Sequence, residues 1–221
     1  MLKLQLPIKP HYRTKIIGLN QMFGDNGADF YAKLGMKGHN GLDFNVDQYQ
    51  DGVGPVYNAL GGYVISDKSL QSDTKGRYVS MISDETTAID PHDGKEKACK
   101  IETCYFHLKE ARVSVDDPSA SGWFDRLIGK PNYIQPGVLI GTSDNTGLYT
   151  TGSHLHFHIR PHWKNSEGYF IPDKSNGYDG CIDPMPYFQD NEIYQDLSRR
   201  AKFYYNGKPI SRAEVDLILK K

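Results

Sequence analysis

The chain has 221 residues, a length that suits one domain with elaborations. Its 26 Lys and Arg stand against 27 Asp and Glu, a net charge of −1, so no strong field recommends nucleic acid or an anionic membrane surface as partner. With 22 Gly, 12 Pro and 15 Tyr, the composition suits a loop-rich β protein better than a helical bundle.

Met1 to Pro7 lacks a basic segment followed by a long apolar run, and no later stretch approaches the roughly 18 apolar residues of a spanning helix. Neither an obvious export signal nor a membrane span is expected. Ile16 to Gly24 predicts a short strand and turn, and Asp29 to Leu34 one helical turn, in which Tyr31 reads as ordinary packing before groove lining. In His39-Asn40-Gly41-Leu42-Asp43, Gly38 and Gly41 oppose a helical reading, since each costs roughly 1 kcal/mol in a helix relative to alanine. A loop entering a strand at Leu42-Asp43-Phe44 is predicted instead. Gly54 to Ile65 reads as a broken β run whose glycines mark a bulge or close backbone approach, and Arg77 to Ser83 alternates as a further strand.

Asp84 to Lys100 is polar and charged, and is expected to be an insertion on a groove rim where substrate choice is set. Asp90, His92 and Asp93 within it read as a solvated loop rather than a second metal site. Ile101 to Leu108 predicts a strand with Tyr105 and His107 on one face, Phe106 and Leu108 on the core face. Ala111 to Tyr133 is a second elaboration, whose amphipathic segment Trp123 to Ile128 caps the groove or covers the sheet. Gln135 to Gly147 reads as turn, strand and turn, and the loop Asp144 to Ser153 aims the next strand.

That strand, Ser153 to Arg160, places His154, His156 and His158 on one face and Leu155, Phe157 and Ile159 on the other. Same-face neighbours lie roughly 6.5 to 7 Å apart, so His154 with His156, or His156 with His158, can meet one metal ion, whereas the outer pair is too far apart. A catalytic zinc takes three nitrogen or oxygen ligands and keeps one position open, and His39, Asp43 and one strand histidine make such a set. Closed structural sites favour cysteine, which this set lacks. Cys99, Cys104 and Cys181 are too few for a disulfide framework, although Cys99 and Cys104 could pair across a turn. Cys104 near His107 suggests a cysteine nucleophile, an idea that explains neither His39 and Asp43 nor the histidine strand.

Gly38-His39-Asn40-Gly41-Leu42-Asp43-Phe44, Tyr105-Phe106-His107-Leu108 and Thr151-Gly152-Ser153-His154-Leu155-His156-Phe157 resemble, in order, the three signatures of the lysostaphin-type, LytM-like zinc peptidases, metallopeptidase family twenty-three. These endopeptidases cut the peptide part of bacterial peptidoglycan. The resemblance covers roughly residues 16 to 187 and implies a mainly β fold, an antiparallel sheet forming a groove, carried by a peptidase domain over 1–188 with insertions at about 84–100 and 111–133. It implies that His39, Asp43 and His156 bind Zn2+ and that His107 and His154 are the catalytic histidines beside it. Ile182-Asp183-Pro184 to Tyr187 resembles the segment that closes such domains. At His158 the chain departs from the family, where an acidic or amide side chain is usual; His158 is expected behind a ligand or in the groove. No His-Glu-x-x-His is present, so proton transfer falls to imidazole, as base or as oxyanion donor.

In the remaining tail, 189–221, Asn191 to Phe203 predicts a helix, Tyr205 to Lys208 a hairpin-type turn, and Ser211-Arg212-Ala213-Glu214 a capping box opening a helix to the end. The tail reads as a helical brace or an interaction module. The expected activity is hydrolysis of a peptidoglycan stem peptide or cross-bridge by a secreted, phage-delivered or virion-associated enzyme. A non-catalytic peptidoglycan-binding or amidase-activating domain on the same fold is the alternative, and it predicts lost metal ligands, whereas every motif residue is present here.

Overall fold

The computed structural model describes all residues except 12, 27–28, 69–73, 116–131, 149, 190–191, 198–201, 207 and 221. Strand β1 (Ile16–Gln21) leads through the one-turn helix α1 (Phe30–Lys33) into β2 (Leu42–Asn45). The broken glycine run becomes β3 (Pro55–Tyr57) and β4 (Gly62–Lys68), followed by β5 (Arg77–Ile82). A hairpin of β6 (Thr86–Ile89) and the long β7 (Glu96–Ala111) precedes β8 (Tyr133–Ile134), β9 (Leu139–Ser143), β10 (His154–Lys164) and β11 (Phe170–Pro172). The tail adds β12 (Ile193–Asp196), β13 (Lys202–Tyr205), β14 (Lys208–Ile210) and helix α2 (Arg212–Ile218). Among the described residues no helix is long and apolar enough to cross a membrane.

The fold is mainly β, as expected. Its sheet runs β14-β13-β12-β1-β2-β10-β7-β5-β4-β8, antiparallel except where β12 lies parallel to β1. The two-residue period of the central strands sorts side chains onto two faces. Leu42, Phe44, Val79, Met81, Ile101, Tyr105, Leu155, Phe157 and Ile159 form one buried apolar layer. Burying each large side chain contributes roughly 1.5–3 kcal/mol, which makes this layer a stiff floor for whatever stands on the opposite face.

The tail corrects one expectation. Residues 193–196 and 202–205 are strands, whereas a helix was expected from Asn191 to Phe203. Tyr194 and the run Phe203-Tyr204-Tyr205 favour a pleated, half-buried surface. The open edge of β1 offers backbone partners that a local helix cannot use, and Leu197 N–H donates to the Leu19 carbonyl at 2.8 Å. The hairpin turn forms, with Tyr205 opposite Lys208 and Asn206 at φ 48, the left-handed conformation a two-residue loop demands. The capping box also forms: Ser211 Oγ accepts from Glu214 N–H at 3.3 Å, and the Glu214 carboxylate accepts from Ser211 N–H at 2.7 Å. Val215 then packs on Ile16 and Phe203.

Residues 84–100 form the β6–β7 hairpin. Lys97 Nζ lies 2.6 Å from Asp90 and 3.0 Å from Asp93, which occupies the two carboxylates of the discounted second metal cluster. His92 Nε2 sits 3.2 Å from Asp173, tying the hairpin tip to a loop that lines the cleft described below. Cys99 and Cys104 lie on one continuous strand instead of flanking a turn, so five residues hold them roughly 16 Å apart, beyond disulfide reach. All three cysteines are free and buried. The segment Trp123 to Ile128 lies outside the described residues.

Candidate metal centre

Strands β2, β10 and β7 are adjacent, and their register does the gathering: His156 lies opposite Asp43 on one side and opposite Phe106 on the other. Directly opposed residues bring their Cβ atoms within roughly 5 Å, so positions 113 residues apart in sequence meet without any loop reaching over. His39 arrives from the loop before β2. That loop packs on the segment after β1, with His39 N–H donating to the Asp25 carbonyl and Gly24 N–H to the His39 carbonyl, both at 2.8 Å. A side chain at Gly38 would stand 2.7 Å from the Gly24 carbonyl, so the close approach requires glycine there.

Three atoms converge. His39 Nε2 is 3.1 Å from Asp43 Oδ1, His156 Nδ1 is 2.9 Å from the same oxygen, and the two nitrogens are 2.9 Å apart. His39 Nδ1, 3.1 Å from the Met22 carbonyl, must donate there, which leaves its Nε2 with a lone pair facing inward. Burial would raise the Asp43 carboxyl, but His39 and His156 outweigh it and hold the group well below the usual carboxylate range. Burial likewise lowers His39, and Asp43 more than reverses this; at His156 burial prevails and its pKa falls. An ionised carboxylate and two imidazole lone pairs pointed at one spot repel unless a proton or cation lies between them. Two imidazole nitrogens and one carboxylate oxygen are the donor set of an open zinc site, and tetrahedral bonds of about 2.0–2.1 Å separate ligand atoms by roughly 3.3 Å, close to the spacing here. The site residues therefore fit a divalent metal.

His154 and His158 take different places. His158 Nδ1 lies 3.0 Å from His156 Nε2, on the far side of that ring, so the pair His156–His158 does not converge on the Asp43 cluster. His154 stands at the mouth, its Nε2 3.8 Å from Asp43 Oδ1, with its ring 4.7 Å from that of His107. Both of these outer histidines are oriented by carbonyls: His107 Nδ1 is 2.7 Å from the Thr146 carbonyl and His154 Nδ1 is 2.8 Å from the Gly152 carbonyl. A carbonyl only accepts, so each ring carries its proton on Nδ1 and presents a basic Nε2. Burial, then His154 and His156, lower the His107 pKa to about 3, which keeps it neutral.

His107 arrives by a route different from the simple alternation expected. Between Tyr105 and Leu108, β7 carries one residue more than its partner β5, a bulge, and His107 adopts φ 61. Tyr105 therefore faces the core, donating to Asn58 Oδ1 at 2.9 Å, while Phe106 faces the site and stacks on His156 at 5.1 Å. The bulge turns two consecutive side chains, Phe106 and His107, toward the same cleft.

That cleft, about 680 Å³, is lined by Tyr31, Lys75, Tyr78, Phe106, Glu102 and Arg160 beside the histidines. Tyr31 both packs and lines it: its ring lies 5.6 Å from His39 and its hydroxyl 2.7 Å from Gln21 Oε1. Beyond His158 the same strand face continues to Arg160 and His162, whose Nη1 and Nε2 lie 2.9 and 3.1 Å from Glu102 Oε2. This network escaped sequence reasoning, although the two-residue period extends to it. Burial opposes ionisation of Glu102, but His162 and Arg160 prevail and lower its pKa to about 2 from 4.5. Its stabilisation is complete above pH 4.5 and is lost as pH falls toward 2, about 3 kcal/mol in all. Urea unfolding of Glu102→Gln should show that deficit at pH 7 and a gap that closes toward pH 2; parallel curves would refute the pairing.

Gly41 is the tightest point of the first motif. A Cβ there would stand 2.5 Å from the Phe157 carbonyl and 2.9 Å from His156 Cε1. Gly41→Ala must displace His156, and zinc affinity measured by chelator competition is expected to fall at least tenfold, as for other lost supports of a metal ligand; unchanged affinity would contradict this placement. The cysteine alternative fails on chemistry: burial, followed by Glu102, raises the Cys104 thiol well above its ordinary value, the reverse of what a nucleophile needs.

Fold and site together define a mainly β protein carrying a two-histidine, one-aspartate cluster able to hold a metal ion in an open cleft, with two further imidazoles at its mouth. No family model and no curated protein matches the chain. Among solved structures it is similar to the catalytic domain of the antimicrobial peptidase lysostaphin from Staphylococcus simulans, at 22% identity over 84% of this chain and 91% of that one, with a TM-score of 0.42. LytU is similar at 22% identity over 76% of this chain and 82% of that one, with a TM-score of 0.46. A zinc-containing peptidase from Vibrio cholerae is similar at 18% identity over 82% of this chain and 40% of that one, with a TM-score of 0.45. All three are less than a quarter identical, so the chemistry of the site is read from its own residues.

Proposed function

We propose that the protein is a zinc-dependent endopeptidase acting on peptide bonds of bacterial peptidoglycan. The observation that carries the reading is the convergence of His39 Nε2, Asp43 Oδ1 and His156 Nδ1 within 3.1 Å of one another, in a cleft where two more imidazoles present basic nitrogens. The substrate class follows from the resemblance of the three sequence motifs to the lysostaphin-type peptidases.

Zinc bound by His39, Asp43 and His156 supplies Lewis acidity toward the scissile carbonyl and makes water a better acid. The protein's own residues do the rest. Because Nδ1–H of His107 donates to the Thr146 carbonyl and Nδ1–H of His154 to the Gly152 carbonyl, each ring turns the lone pair of Nε2 toward the substrate. Either accepts the proton of the attacking water; once protonated, the same Nε2 donates it to the leaving amine. The neutral state of His107 keeps it available for this at neutral pH.

The test is chemical. Purified protein supplied with zinc should release new free amino groups from peptidoglycan, and a chelator should stop the release. Zinc-loaded protein that binds peptidoglycan and frees no amines would make this a binding domain instead.

A further inference from the structure

We infer that His158 is a positioning residue, which holds His156 in the one tautomer that can face a metal. The inference rests on the metal-centre reading above and concerns a position where the chain departs from the family it resembles.

His156 meets His39 and Asp43 through Nδ1, not Nε2. A neutral imidazole carries one N–H, so an Nδ1 lone pair available to a metal requires the proton on Nε2, and that N–H needs an acceptor in a buried place. His158 Nδ1 stands at 3.0 Å and provides it. His158 is 2% exposed and set edge-on against Phe106 at 5.0 Å, so its ring cannot swing away without disturbing the ring that stacks on His156.

The position is a poor one for stability. When His158 accepts through Nδ1, its own proton sits on Nε2, an atom that is buried and without a hydrogen-bond partner among the described residues. A buried donor left unmet costs stability, so packing alone would favour an apolar side chain here. What the imidazole offers that an apolar residue lacks is the acceptor atom behind the ligand.

Zinc affinity by chelator competition on the full chain separates the roles. His158→Leu is expected to lose ten- to a hundredfold in affinity, the usual cost of removing a partner behind a metal-bound imidazole, whereas His158→Gln, which keeps an acceptor, stays within about threefold of wild type. Imidazole ¹⁵N spectra of the zinc-loaded wild type should place the His156 proton on Nε2. Wild-type affinity in a folded His158→Leu, a glutamine variant as weak as leucine, or a His156 proton on Nδ1 with zinc bound would each overturn the inference. If the leucine variant does not fold, the glutamine variant and the wild-type spectrum still decide. A wild-type protein that binds no zinc at all would instead remove the metal-centre reading itself.

Discussion

Asp43→Ala is expected to lower zinc affinity about a thousandfold and bring hydrolysis to background. Asp43 Oδ1 touches both partner nitrogens and is the one anionic donor of the cluster. Removing it leaves two imidazole lone pairs 2.9 Å apart with nothing to offset a divalent charge. Zinc sites of four ligands bind with roughly 10–16 kcal/mol, so one ligand carries on the order of 3–4 kcal/mol, which is about a factor of a thousand. Calorimetric titration of zinc into the folded variant measures it directly. Wild-type affinity in Asp43→Ala would mean that the metal binds elsewhere.

His107→Ala and His154→Ala should behave in the opposite way, with zinc retained and turnover reduced by roughly 10² to 10⁴, the usual contribution of a positioned acid–base group. Neither side chain belongs to the converging cluster, yet their rings lie 4.7 Å apart at its mouth. Because two bases share one task, the double variant should lose less than the product of the single losses. Kinetics on a soluble model peptide together with bound-metal analysis reads both quantities. A single variant that keeps full turnover would take that histidine out of the proton path, and one that loses its zinc would make it a ligand.

How far the site could be read from the sequence depends on whether a feature is local. The three histidines of β10 share a face because a strand repeats every two residues, and that was visible in the five letters from His154 to His158. The union of His39 with Asp43 was read from the donor set an open zinc site needs and from the resemblance of the first motif, while the glycines gave only the loop that carries His39. What escaped were features set by partners far along the chain. The bulge that turns Phe106 and His107 together into the cleft exists only relative to β5, and no local pattern in Tyr105-Phe106-His107-Leu108 announces an extra residue. Strand β12 needs the free edge of β1, more than 170 residues earlier, to be preferable to the helix its local composition suggested. The Glu102–Arg160–His162 network likewise needs the register of β7 against β10, which pairs Glu102 with Arg160.

The central claim is that one divalent ion sits among His39, Asp43 and His156 with a side left open to the cleft. An anomalous difference map recorded at the zinc edge on crystals of the zinc-loaded protein tests it most directly. The account predicts a single strong peak bonded by His39 Nε2, Asp43 Oδ1 and His156 Nδ1, with no fourth side chain in contact. A peak bonded through His158, or one enclosed by a further protein ligand, would contradict it.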